Sequence, residues 1–146
     1  MTVETYEFAF DKPTGGLYLL DITNEVRNAV LKSGIEDGVA NISIGSTTTS
    51  VRIMVCNNVT KAKLARALEI VAPSDARYMH NRLTGDIYGV GADSNGTSHV
   101  RSGLLGPSST VPIINGKIPL GKNSIVAADF DVIKRRRRVM VQVIGR

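Results

Sequence analysis

Ser109-Thr110-Val111-Pro112-Ile113-Ile114-Asn115-Gly116-Lys117-Ile118-Pro119-Leu120 is where the chain declares itself a sheet protein. Val111 to Ile114 and Lys117 to Leu120 read as two strands around Asn115-Gly116. Asn-Gly is a strong hairpin signal because the favoured two-residue turn needs φ > 0 at both central positions. Downstream, Ser124 to Val132 and Arg138 to Ile144 read as a last pair of strands. Upstream, the spacing predicts a short helix after His99, with Val100, Leu104 and Leu105 as its apolar face and Gly106-Pro107 as its stop. Before that, Leu64, Ala67, Leu68 and Val71 recur at helical spacing after a break at Asn57 to Thr60 with a capping Thr, and Pro73 ends the pattern. Gly38 to Gly45 and Ser50 to Cys56 read as strands joined by Ser46-Thr47-Thr48-Thr49. Thr2 to Phe10 and Leu17 to Leu20 read as strands on either side of the Asp11-Lys12-Pro13-Thr14-Gly15-Gly16 turn. Asp21 or Thr23 caps a helix to Ser33, where Gly34 is a suitable C′ residue. Strands at both ends with helices between them favour an α+β fold over an alternating α/β one.

At 146 residues the chain fits one domain, 1–146. Hydrophobic residues make up 42 %, yet Trp is absent and aromatics are only 5 %, so Val, Ile, Leu and Ala must fill the core. No apolar run approaches the roughly 20 residues that span a bilayer, and Met1-Thr2-Val3-Glu4-Thr5 lacks the regions of a signal peptide. A cytoplasmic protein without a membrane partner is expected. The single Cys56 rules out an internal disulfide and a Cys-based zinc site, and its apolar setting points to inert packing. The net charge of +5 comes from one place: Lys134-Arg135-Arg136-Arg137-Arg138 holds five of the eighteen basic residues, leaving thirteen basic against thirteen acidic elsewhere. The run could bind nucleic acid or phosphate, with Arg135 to Arg138 as the contacts, but five like charges without interleaved aromatics read as a solvated hairpin end, so a nucleic-acid partner is not expected.

The residues that can carry chemistry are few. His80 and His99 are the only histidines and both lie in polar, loop-like settings. Imidazole serves as a proton carrier or a metal ligand near neutral pH. A catalytic zinc site wants three protein ligands, so a carboxylate from Asp75, Asp86, Asp93 or Asp129 would have to complete one. The bland alternative is that each histidine packs or caps a loop. Ser46-Thr47-Thr48 follows a strand and a glycine, where hydroxyls and backbone amides can hold phosphate, or can simply end a hairpin. Ser74 to Thr97 is long and Gly-rich, as functional loops often are, with a short helix expected around Tyr78 to Leu83. There is no Walker sequence, dinucleotide fingerprint or nucleophile elbow.

Several segments, in order, resemble the YjbQ-like family, the secondary thiamine-phosphate synthase proteins. They are Leu20-Asp21-Ile22-Thr23-Asn24-Glu25-Val26, Ser33-Gly34-Ile35-Glu36-Asp37-Gly38, Tyr78-Met79-His80, Asn95 to Ser108 with Arg101-Ser102-Gly103-Leu104-Leu105-Gly106-Pro107 inside it, Gly116 to Gly121, and the basic segment before the last strand. The resemblance implies a two-sheet β-sandwich with flanking helices, a homotrimer, weak thiamine-phosphate synthase activity, and a pocket of histidines and carboxylates suited to a metal or an anion. Carried over by position, His80 and His99 are the catalytic residues and Ser46, Thr47 and Thr48 hold the anion. His80, His99 and Asp129 are what remains of a metal site that would take a divalent ion only weakly. Ser46 stands where the family has histidine, Val55 about where it has glutamate, Asn58 for an aspartate, and Lys122-Asn123-Ser124 for Thr-Trp-Gln. The functional expectation is a phosphate-bearing small molecule at a His/hydroxyl pocket. Its alternative is a non-catalytic trimer that binds a small anion or a protein.

Overall fold

The computed structural model describes residues 1–75 and 95–146. Seven strands and three helices are described: β1 (Thr2–Lys12), β2 (Tyr18–Asp21), α1 (Thr23–Ser33), β3 (Gly38–Ile44), β4 (Thr49–Met54), α2 (Asn58–Val71), α3 (Gly96–Leu105), β5 (Ser108–Ile113), β6 (Ser124–Asp129) and β7 (Arg135–Gly145). They form two antiparallel sheets, one of order β1-β7-β3-β5 and one of order β2-β6-β4. This is the α+β sandwich expected from the sequence. His80, the helix expected near Tyr78, Asp86 and Asp93 lie outside the described residues.

Period-2 alternation assigns the faces. Ala40, Ile42 and Ile44 of β3 and Val139, Val141 and Val143 of β7 turn inward, against Val51 of β4 and Ile125 and Ala127 of β6. α1 packs into this same core through Val26, Ala29 and Val30. Its entry is fixed by Asp21, whose carboxylate accepts from both the Thr23 amide (2.9 Å) and the Thr23 hydroxyl (2.6 Å). Gly34 ends it at φ 69°, a left-handed conformation that glycine takes without steric cost. α2 begins with a capping box, Asn57 accepting from the Thr60 amide while Thr60 accepts from the Asn57 amide. With α3, it covers the outside of the three-stranded sheet, where Leu68, Ala128 and Phe130 are buried among Leu17, Leu19, Leu64 and Leu105. No described helix packs on the outer face of the four-stranded sheet, and Val3, Val39 and Met140 stand exposed there.

Four sequence expectations need correction. Lys117 to Leu120 is not a strand. Asn115 and Gly116 make the expected turn, with φ 50° and 73°, but pairing stops at the Ile114–Lys117 bridge. Pro119 has no amide to extend the ladder, and the Leu120 amide turns back to the Ile118 carbonyl. On α2, Leu68 is buried and Leu64 partly so, whereas Val71 is exposed, because only one short stripe meets the sheet. On α3, Val100 and Leu104 face solvent, and the buried positions are Gly96, Ser98 and Ser102. The serines win because their hydroxyls satisfy carbonyls at strand ends: Ser98 donates to Phe130, and Ser102 donates to Thr49 at 2.6 Å. Finally, the basic run is not a hairpin end. β7 starts at Arg135 and pairs with β1 through Lys12↔Arg135, Asp11↔Arg136 and Phe10↔Arg137.

Candidate functional site

That last correction defines the site. Alternation places Arg135 and Arg137 on the inward side of β7, in line with Val139, and sends Arg136 and Arg138 outward. At this end the filling between the two sheets changes from apolar to ionic. Lys12, Asp129 and Asp131 are all buried there. Arg137 forks onto Asp129, Nε to Oδ2 at 2.6 Å and Nη2 to Oδ1 at 3.3 Å, and its Nη2 also donates to Thr48 Oγ1 at 2.8 Å. Arg135 Nε donates to Asp131 Oδ2 at 3.0 Å. Lys12 Nζ donates to the Pro13 and Gly15 carbonyls at 2.6 and 2.7 Å, tying the β1–β2 turn to the cluster.

The electrostatics follow from burial set against partners. Burial alone pushes the Asp131 carboxyl up. The Arg135 hydrogen bond and charge, with the Val132 and Ile133 amides, outweigh it and hold Asp131 below the ordinary carboxylate value of 3.8. Burial pushes the Lys12 ammonium below its ordinary 10.5, despite the opposing pull of Asp129 and Asp131. Three of the five side chains in the basic run have internal carboxylate partners: Arg135 with Asp131, Arg136 with Asp11 and Arg137 with Asp129. The run is therefore far less positive toward solvent than its sequence suggests.

Ser46, Thr48 and Asp129 are linked through Arg137. Ser46 Oγ accepts from the Thr48 amide (3.2 Å) and lies 3.3 Å from Thr48 Oγ1, which receives Arg137. A cavity of about 410 Å³ lies beside this cluster, lined by Ser43 to Ser46 and Arg137 and by Glu7, Arg136, Arg138 and Met140, whose side chains alternate to the outer face of the four-stranded sheet. Thr47 is exposed and no contact of its side chain is described. Half-buried His99 is in the first turn of α3. The preceding residue, Ser98, is bonded to the Phe130 carbonyl, while the Phe130 amide donates to the Thr48 carbonyl at 3.0 Å. α3 thus delivers the His99 backbone to the end of the sheet that carries Thr48 and Asp129. Thr49, cross-strand partner of Asp129, is buried with a hydroxyl that has no hydrogen-bond partner among the described residues.

At Asp129 the described residues offer an arginine pairing where a metal ligand was expected. Both Asp129 oxygens are taken, Oδ2 by Arg137 Nε and Oδ1 by Arg137 Nη2 and the Asp131 amide. A cation at Asp129 would have to displace a guanidinium from a buried carboxylate. Ser46 is a poor metal donor, Val55 offers none, and among the described residues no three His, Cys, Asp or Glu side chains are grouped to hold a metal. Sequence reasoning held Arg137 only within a basic run able to bind nucleic acid or phosphate and read as solvated, although strand alternation counted back from Val139 was a signal that could have turned it inward.

Residues 7–146 match the UPF0047 protein YjbQ-like family. A UPF0047 protein of Methanothermobacter thermautotrophicus is 36% identical over 129 residues, covering 88% of this chain and 83% of that protein. A second, from Archaeoglobus fulgidus, is 31% identical over 127 residues, covering 86% and 90%. Among solved structures, a YbjQ-like protein of unknown function from Sulfolobus solfataricus P2 superposes with a TM-score of 0.84 at 21% identity, covering 99% of this chain and 100% of that one. An uncharacterised conserved protein of the yjbq/upf0047 family from Clostridium acetobutylicum gives 0.81 at 28% identity, with 95% and 99% covered. The chain belongs to the YjbQ-like UPF0047 family.

Proposed function

We propose that this chain binds a phosphate-bearing small molecule at the ionic end of the sandwich. One observation supports the reading: Arg136, Arg137 and Arg138 line one cavity with Ser46, beside the inward pairing of Arg137 with a buried carboxylate and a threonine hydroxyl. Among the described residues no hydrogen bond engages Arg137 Nη1, which can donate single charge-assisted bonds to an oxyanion. Ser46 adds a hydroxyl, and Arg136 and Arg138 add charge at the opening. Calorimetry with orthophosphate and a simple phosphomonoester tests it. Binding should weaken at least about 10-fold in Arg137→Met, the loss of one charge-assisted hydrogen-bond pair. Unchanged affinity in that variant refutes the reading.

A second reading is thiamine-phosphate synthase-type catalysis, with His99 and His80 moving protons beside the bound phosphate. The placement of His99 on the helix that meets Phe130 and Thr49 favours it. Turnover that disappears in both His99→Gln and His80→Gln would support it; turnover indifferent to both would remove it.

Self-association into a homotrimer is proposed alongside. Among the described residues no helix covers the outer face of the four-stranded sheet, where Val3, Val39 and Met140 are exposed, and this supports it. Light scattering that gives a monomer at micromolar concentration would refute it.

A further inference from the structure

Lys12 ends β1 opposite Arg135 and is buried, 2% exposed. Lysine is seldom buried unless a charged group pairs with it. Here the neighbouring carboxylates are committed elsewhere, Asp129 to Arg137 and Asp131 to Arg135 and Arg137, and no described ion pair includes Lys12. Its Nζ donates instead to two carbonyls, those of Pro13 and Gly15. Two acceptors match the two N–H groups of a neutral amine and leave the nitrogen lone pair free. An ammonium would carry a third N–H with no acceptor among the described residues. Burial, reinforced by the Arg137 charge, lowers the Lys12 pKa against the pull of Asp129 and Asp131. A desolvated lysine beside another cation is the usual form of a nucleophilic amine.

Lys12 also lines a cavity of about 460 Å³ at the end of the β1–β7 ladder, with Asp11, Pro13, Lys134, Arg135 and Arg136. Lys134 is exposed and in no described ion pair, and Arg136 is tethered only to Asp11, an exposed pair that costs little to rearrange. We infer that Lys12 is a nucleophilic amine that captures an anionic aldehyde as an imine, with Lys134 and Arg136 drawing the anionic group of the ligand into this cavity. The lone pair of Nζ attacks the aldehyde carbon. The carbonyl oxygen takes up protons, two of them from the nitrogen over the whole step, and leaves as water, and a C=N bond replaces the C=O bond. The inference stands apart from the phosphate reading, which rests on the cavity beside Ser46.

Reductive trapping on the native full chain tests this and needs no variant of a buried residue. The chain is incubated at neutral pH with limiting pyridoxal 5′-phosphate, or with uncharged pyridoxal, and cyanoborohydride. The reductant delivers hydride to the imine carbon, the nitrogen takes a proton, and the adduct becomes a stable secondary amine that peptide mass spectrometry locates. Lys12 should be labelled at least about 10-fold faster than the exposed Lys32 and Lys61, because a ligand held in the cavity attacks within the complex. Its labelling by the phosphorylated aldehyde should exceed that by pyridoxal by a similar factor, while Lys32 and Lys61 show no such preference. An unlabelled Lys12 beside labelled Lys32 and Lys61 overturns the inference and leaves Lys12 as a latch for the β1–β2 turn. Label on Lys134 in place of Lys12 overturns it too. Equal labelling of Lys12 by the two aldehydes overturns the assignment of an anionic ligand. Loss of orthophosphate binding in Arg137→Met bears on the phosphate reading alone, so the two can fail separately.

Discussion

Replacing Asp129 by alanine removes the buried carboxylate that holds Arg137, whose side chain is 12% exposed against 0% for Asp129. The guanidinium is left almost enclosed with Thr48 as its remaining close partner and Asp131 at 3.6 Å. Breaking a buried pair by deleting one member costs about 3–5 kcal/mol, chiefly from the uncompensated charge. That is a large share of the roughly 5–15 kcal/mol that keeps a domain folded. At about 2–4 °C per kcal/mol for a chain of this size, Tm should fall by roughly 6–20 °C. Thermal and urea unfolding followed by circular dichroism measures it. The double variant Asp129→Ala/Arg137→Met should recover most of the loss, since it leaves no orphaned charge. Chelation of the native protein should leave Tm unchanged, because Asp129 serves an arginine. A single-variant loss below about 1 kcal/mol, the range of an exposed pair, would refute the buried-fork argument. A Tm drop on chelation would reinstate the metal.

Other consequences are equally checkable. Ser98→Ala and Ser102→Ala should each cost about 1–3 kcal/mol by leaving a buried carbonyl, Phe130 or Thr49, without its donor, whereas Leu104→Ala on the exposed side should change stability by less than about 0.5 kcal/mol. Asp131 is held below the ordinary 3.8, so it releases its proton more readily folded than unfolded; its stabilisation is present above that value and is lost as pH falls through the lower folded value. Asp131→Asn should therefore flatten the acid limb of a stability–pH curve, and an unchanged limb would count against the Arg135 pairing. Gly38→Ala would press a methyl into the Ile144 carbonyl and the Gly145 Cα of β7, so it should destabilise by about 3 kcal/mol in urea unfolding, more than a glycine in open space would.

Sequence legibility tracked how local each signal was. The Asn115-Gly116 turn, the Gly34 helix end and the Asn57 to Thr60 cap depend on a few neighbouring residues, and each was legible. The strands of the core were legible because their alternation repeats over several residues. The failures came where a partner distant in sequence decides the outcome. Ser98 and Ser102 look like a polar helix face until Phe130 and Thr49 present their carbonyls. Lys117 to Leu120 has strand-like composition but lacks the amide pattern for a ladder. Lys134 to Arg138 looks solvated because the carboxylates that receive it, Asp11, Asp129 and Asp131, lie on or beside other strands. Ser46, Thr48 and Asp129 were named from the sequence, but the role of Asp129 was not. Only the fold shows that its oxygens are committed to Arg137.

The most direct test of the site is a two-dimensional NMR titration with orthophosphate, following backbone amides and the Arg137 side-chain Nε–H. Saturable shifts are predicted at Ser46, Thr48 and Arg137, and they should vanish in Arg137→Met while the fold is retained. Shifts confined to other surfaces, or none up to millimolar phosphate, would contradict the assignment of this cavity as an anion site.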